Sequence, residues 1–189
     1  MNSIPAKTIV ILDRDGVINE YPGDFDYVKS PEAFKMLPGV KKAVKMLNKA
    51  NFKVCIASNQ AGVTKGIYTQ EALDKITQKM HHELKEVGAV IDEVNYCIHR
   101  DEDNCTCRKP KTGLLEKAAG NNKSQTYFIG DTLRDVITAK NFGCKSILVL
   151  SGKIKHITEV KNWEFKPDFI VNNLLEAAEL LLKKREELV

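Results

Sequence analysis

The chain predicts an α/β fold built on a doubly wound parallel sheet. Three observations carry that expectation. Short apolar runs, several rich in β-branched residues, recur along the chain. Segments with helical periodicity separate them, and polar residues, above all Asp, stand where the runs end. Strands that alternate with helices pair in parallel and are covered on both faces.

Each element can be justified in order. "KTIVILD" (7–13) reads as a buried strand bounded by Asp and Gly. Residues 14–38 are rich in Pro, Gly and Asp and read as loop with one short extended hairpin. "GVKKAVKMLNKAN" (39–51) puts Val40, Ala43, Val44 and Leu47 on one helical face. "FKVCIASN" (52–59) is a second strand. Residues 69–88 form a helix with a Thr cap, an acidic first turn and a terminal Gly88. "VIDEVNYC" (90–97) is a third strand, leading into a polar loop. Then come a helix at 112–121, a strand at 126–131, a helix at 132–143 and a strand at 145–150. Residues 151–167 are irregular, 168–171 a last short strand and 173–188 a closing helix.

The 189 residues suit one domain, 1–189, with a sizeable core. Apolar content of 43% and charged content of 29% fit a globular protein without a membrane span. The N-terminal "MNSIPAKTIV" does not read as a signal peptide, which predicts a cytoplasmic location with reduced thiols. An odd count of five cysteines argues against a disulfide framework. The net charge of +4 is scattered, which is a weak argument for nucleic acid and compatible with an anionic small-molecule partner; the expected state is a monomer.

Ligands in doubly wound sheets bind beyond the carboxyl ends of the strands. That rule selects Asp13 and Asp15 in "LDRDG", Ser58 and Asn59 in "CIASNQAG", Arg108 and Lys109 in "CRKPKTG", and Asp131 with Asp135 in "FIGDTLRD". Two carboxylates as close as Asp13 and Asp15 are not both ionised cheaply without a cation. A hydroxyl, an amide and free backbone N–H groups at 58–62 suit phosphate oxygens. Lys109 would neutralise a phosphoryl group and a nucleophilic carboxylate together. Asp131 would complete an oxygen shell for Mg²⁺. Each feature has a plainer reading alone: a solvated turn, a strand-to-loop turn, a surface lysine, a helix cap. Their order, each at a strand end, is what carries weight.

"CIHRDEDNCTC" (97–107) places Cys97, His99, Cys105 and Cys107 within one short polar loop. Four such ligands saturate a tetrahedral Zn²⁺ and leave no open position, so the site is predicted to be structural.

The four strand-end motifs resemble, in order, those of the haloacid dehalogenase (HAD) superfamily. The resemblance implies a HAD-like Rossmannoid sheet, Mg²⁺ dependence and a phosphoaspartyl intermediate. It makes Asp13 the nucleophile, Asp15 the general acid and base, and Ser58 with Asn59 the phosphate holders. Lys109 becomes the charge neutraliser. Asp13, Asp131 and the Asp15 carbonyl become the Mg²⁺ ligands, with Asp135 open between roles. The zinc loop directly before "RKP", without room for a separate cap domain, is similar to the D-glycero-D-manno-heptose-1,7-bisphosphate 7-phosphatases. It is also similar to the histidinol-phosphate phosphatases. An open site screened by loops at 17–31, 60–68 and 99–108 follows, with Arg108 reaching the substrate beyond its phosphate. Asp24 and Asp26 would favour the histidinol ester if they formed an acidic pocket. A nucleic-acid end phosphatase would show strong salt dependence. A zinc-stabilised binding module without catalysis is opposed by the intact set of Asp13, Asp15, Ser58, Lys109 and Asp131.

Overall fold

The computed structural model describes residues 7–187. The N-terminal stretch on which the absence of a leader was argued lies largely outside them, as does residue 188 of the closing helix. Six strands form one parallel sheet: β1 (Ile9–Leu12), β2 (Lys53–Asn59), β3 (Glu93–Cys97), β4 (Thr126–Gly130), β5 (Lys145–Val149) and β6 (Phe169–Val171). Their spatial order is β3-β2-β1-β4-β5-β6. Among the described residues four helices connect them, α1 (Val40–Lys49), α2 (Gln70–Lys85), α3 (Gly113–Ala119) and α4 (Leu133–Phe142), and a fifth, α5 (Leu174–Glu186), follows β6.

The alternation of side chains along each strand divides the core into two. Val10 and Leu12 of β1, with Val54 and Ile56 of β2, pack under α1, α2 and α5. Ile9 and Ile11, with Cys55 and Ala57, pack under α3 and α4 on the opposite face. Both faces are therefore covered, which is why β1 is buried along its whole length. The helix caps are those the residues favour: Thr69 Oγ1 accepts from the Ala72 N–H at 3.2 Å, and Asn173 Oδ1 from the Glu176 N–H at 3.1 Å.

Two segments differ from expectation. The hairpin expected within 14–38 is reduced to isolated bridges, Asp15 with Asn19 and Asn19 with Met36. Its chain packs inward through Val17, Ile18, Val28 and Phe34 instead of forming a ladder. The irregular stretch after β5 contains a 3₁₀ turn at Ile157–Val160, held by the Glu159 carboxylate accepting from the His156 N–H at 2.9 Å. Among the described residues no helix is long and apolar enough to cross a membrane.

Candidate active site

The strand order reverses between β1 and β4: the chain steps outward from β1 through β2 to β3, then returns to β4 beside β1 and steps outward the other way to β6. A crevice opens at such a switch point. Leu12 is in register with Ile129, and the Asp13 N–H donates to the Ile129 carbonyl at 2.9 Å. Asp13 and Asp131 thus leave adjacent strands side by side. Gly16 and Gly152 close over Asp131, and a Cβ on either would collide with its carboxylate. The Lys153 N–H fixes that carboxylate by donating to Oδ2 at 2.6 Å.

Lys109 is the buried cation of the site, 2% exposed. Its Nζ lies 2.8 Å from Asp13 Oδ2 and 2.7 Å from Asp135 Oδ1. Burial opposes its charge, but Asp13 and then Asp135 more than reverse that, so its value is raised. The lysine is aimed by Asn59, whose Oδ1 accepts from the Lys109 N–H at 3.1 Å while its Nδ2 donates to the Lys109 carbonyl at 3.2 Å. The Asn59 side chain therefore pins the 97–111 loop to the end of β2, besides lining the pocket. Asp135 also accepts from the Thr132 N–H at 3.1 Å and Thr132 Oγ1 at 2.6 Å. The first of these contacts is the Asp135 half of a capping box at the start of α4.

Asp13, Asp131 and Asp135 bring one carboxylate oxygen each within 4.8 Å of one another. Burial raises the value of Asp13, with Asp135 adding and Lys109 opposing. Burial raises that of Asp131 well above the ordinary 3.8, with Asp135 and Asp13 adding to it. A concentrated set of hard oxygen donors with one lysine to answer it suits a further cation such as Mg²⁺.

Asp15 faces the same pocket in a different setting. Arg14 Nε and Nη2 reach its Oδ1 at 3.1 and 2.9 Å, and Asn19 Nδ2 reaches it at 2.9 Å. Gln60 Nε2 donates to its Oδ2 at 2.9 Å. Ser58 is buried beside them, with Gln60 Nε2 3.3 Å from its Oγ. Arg14, Asn19 and Gln60 were not singled out from the sequence. An arginine wedged between two aspartates was the one visible signal.

The pocket encloses about 580 Å³. Asp13, Asp15, Ser58, Asn59, Lys109, Asp131 and Asp135 form its floor, and the walls include Tyr21–Tyr27, Lys65 and Arg108. A further wall, Arg134 with Lys153, Ile154 and Trp163, was not anticipated. It comes from the irregular stretch after β5 and from α4. Arg108 is half-spent: its Nε and Nη2 reach Asp101 at 2.6 and 3.2 Å, and its Nη1 reaches the His99 carbonyl at 3.3 Å. The acidic residues of the first loop are paired. Asp24 meets Lys153 at 2.5 Å and the Tyr21 hydroxyl at 2.6 Å, and Asp26 meets Lys29 at 2.7 Å.

Beside the pocket the four soft ligands converge. Sγ of Cys107 lies 3.2 Å from that of Cys97 and 3.6 Å from that of Cys105, and Cys97 lies 3.7 Å from Cys105. His99 Nδ1 is 3.6 Å from Cys97 and 3.3 Å from Cys107. Zn–S bonds of about 2.3 Å give a tetrahedral edge of about 3.8 Å, so the cluster fits Zn²⁺ with little adjustment.

Residues 106–177 match the HAD-hydrolase-like family model. A D-glycero-beta-D-manno-heptose-1,7-bisphosphate 7-phosphatase of Neisseria meningitidis is 40% identical over 150 residues, 78% of this chain and 79% of that one. The D-glycero-D-manno-heptose-1,7-bisphosphate 7-phosphatase of Thermosynechococcus vestitus is 35% identical over 92% of this chain and 94% of its own. The D,D-heptose 1,7-bisphosphate phosphatase of Bordetella bronchiseptica, solved with magnesium and phosphate, superimposes with a TM-score of 0.84. It shares 34% identity and covers 94% of this chain and 99% of its own. Fold and strand-end carboxylates together define a hydrolase of the HAD-like class. The chain belongs to the family of HAD-like phosphatases that these heptose-bisphosphate enzymes make up.

Proposed function

We propose that the chain, as a single cytoplasmic domain acting as a monomer, removes the 7-phosphate of D-glycero-D-manno-heptose 1,7-bisphosphate through an aspartyl phosphate. The observation that carries this reading is Asp13 held 2.8 Å from a buried lysine, at the switch point of a sheet shared with the heptose-bisphosphate phosphatases. Asp13 attacks phosphorus in line, forming the Asp13–phosphate bond as the bond between phosphorus and the sugar oxygen breaks. Asp15 protonates the departing alkoxide, then takes a proton from the water that hydrolyses the acyl phosphate. Lys109 offsets the repulsion between Asp13 and the incoming dianion, and Ser58 holds a phosphate oxygen. Asp135 keeps Lys109 in place. Mg²⁺ would be held by Asp13, Asp131 and the Asp15 carbonyl, where it supplies charge neutralisation for the phosphoryl group. Zn²⁺ on Cys97, His99, Cys105 and Cys107 would clamp the loop that presents Arg108 and Lys109.

Lys65, Arg108 and Arg134 line the pocket mouth and suit a second anionic group. The pairing of Asp24 and Asp26 counts against the histidinol ester, because neither carboxylate stands free for an ammonium or imidazolium. Turnover against a panel of sugar mono- and bisphosphates and histidinol phosphate tests the reading. The heptose bisphosphate should give the highest kcat/KM. Arg108→Ala should lower kcat/KM for the bisphosphate by about ten- to a hundredfold, one charge-assisted contact, and for monophosphates by less. Equal kcat/KM for histidinol phosphate, or an equal Arg108 effect on both ester types, would defeat it.

A further inference from the structure

We infer that Gln60 is a positioning residue that aims the carboxylate of Asp15 at the substrate's leaving oxygen. The inference rests on Asp15 being the proton carrier of the proposed reaction. Gln60 is fully buried, and its amide orientation is dictated by its neighbours. Arg14 Nη2 lies 3.0 Å from Gln60 Oε1 and the Tyr68 hydroxyl 2.7 Å from it. A guanidinium has donors and no acceptor, so the Gln60 atom facing Arg14 must be the oxygen. The NH₂ group then has one direction left. It donates to Asp15 Oδ2 at 2.9 Å and approaches Ser58 Oγ at 3.3 Å. The Gln60 backbone is fixed as well, its N–H donating to the Cys97 carbonyl at 2.7 Å.

The two oxygens of Asp15 are used unequally. Oδ1 accepts from Arg14 Nε, Arg14 Nη2 and Asn19 Nδ2 at 3.1, 2.9 and 2.9 Å. Oδ2 has Gln60 at 2.9 Å and a longer contact of 3.2 Å to Arg14. Each carboxylate oxygen has about two lone-pair sites. Oδ1, with three donors, is the more crowded oxygen, and Oδ2, with one short and one longer contact, is the one better placed to exchange a proton in the pocket that Asp15 lines. Gln60 occupies one side of that working oxygen and sets the direction of the other. Because the same NH₂ group approaches Ser58, it also ties the proton carrier to the group proposed to hold the phosphate. A buried amide locked by a buried arginine and a tyrosine is an expensive way to fill space, since apolar side chains of that volume fold more cheaply.

A leaving-group comparison tests this. An alkyl phosphate needs its departing oxygen protonated, whereas p-nitrophenyl phosphate releases a stable phenolate. kcat/KM reports steps only as far as that departure. The ratio of kcat/KM for the best alkyl phosphate to that for p-nitrophenyl phosphate is measured for wild type, Asp15→Asn, Gln60→Met and Tyr68→Phe, with zinc content and melting temperature recorded. In Gln60→Met the ratio should fall about ten- to a hundredfold, the effect of one hydrogen bond to a charged group. It should fall in the same direction but less in Tyr68→Phe, which keeps the Arg14 contact and supplies the measurement if Gln60→Met does not fold. A fall in Asp15→Asn but an unchanged ratio in both the Gln60 and Tyr68 variants would overturn the positioning role and leave the proton-carrier reading standing. An unchanged ratio in Asp15→Asn would overturn both.

Discussion

Lys109 places one positive charge between two carboxylates, 2.8 Å from Asp13 and 2.7 Å from Asp135. Removing a partner from such a buried set leaves an uncompensated charge, and that, more than the lost contact, is what costs stability. Asp13→Asn is mild by this measure, because the amide oxygen still accepts from Lys109 and Asp135 still pairs with it. The variant should fold, yet lose turnover and form no phosphoenzyme, because an amide is a very poor nucleophile. Retention of about a tenth of wild-type turnover would rule out covalent catalysis through Asp13. Asp13, Asp15, Ser58 and Asp131 were legible because each follows a readable strand. Asp135 was less so: its partner stands 26 positions away and meets it only through the fold. Gln60 stood within a motif already in view, but nothing local shows that Arg14 and Tyr68 turn its amide.

The 97–107 loop is polar, and Ile98 is its one aliphatic residue. Cys97 at its root is buried, whereas His99 is exposed and Cys105 and Cys107 are partly so. In the proposed reading a closed tetrahedral zinc site would supply the missing constraint. Cys107→Ser should therefore release zinc, loosen Arg108 and Lys109, and raise KM or lower kcat. Asp131→Asn should lose activity and retain zinc. Elemental analysis showing the reverse pattern would exchange the two metal assignments. The strands and helices of this molecule were readable because periodicity reports burial directly: Val40, Ala43, Val44 and Leu47 are the buried face of α1. The chain between β1 and α1 was less readable. Its buried residues Val17, Ile18, Val28 and Phe34 are too sparse for any period, and its shape follows from what they pack against. The wall at Lys153, Ile154 and Trp163 was missed for the same reason.

The whole molecule carries an electrostatic load at the switch point that a bound cation would relieve. Asp13, Asp131 and Asp135 converge within 4.8 Å, and Lys109 answers only part of their charge. A ligand that binds the folded state alone stabilises it by about 2.7 kcal/mol at a hundred times its Kd. In a chain of this length that should raise Tm by about 5–10 °C. Zinc-loaded protein titrated with Mg²⁺ should show the rise without any change in zinc content. Asp131→Asn removes one of the repelling charges. Its side-chain oxygen can still accept from the Lys153 N–H, the contact now at 2.6 Å. In the absence of Mg²⁺ this inactive variant should therefore melt at or above the wild-type temperature, and Mg²⁺ should shift it little. A variant that melted well below wild type without Mg²⁺, or that kept the full Mg²⁺ response, would show that Asp131 is a structural cap and that the cation is held elsewhere.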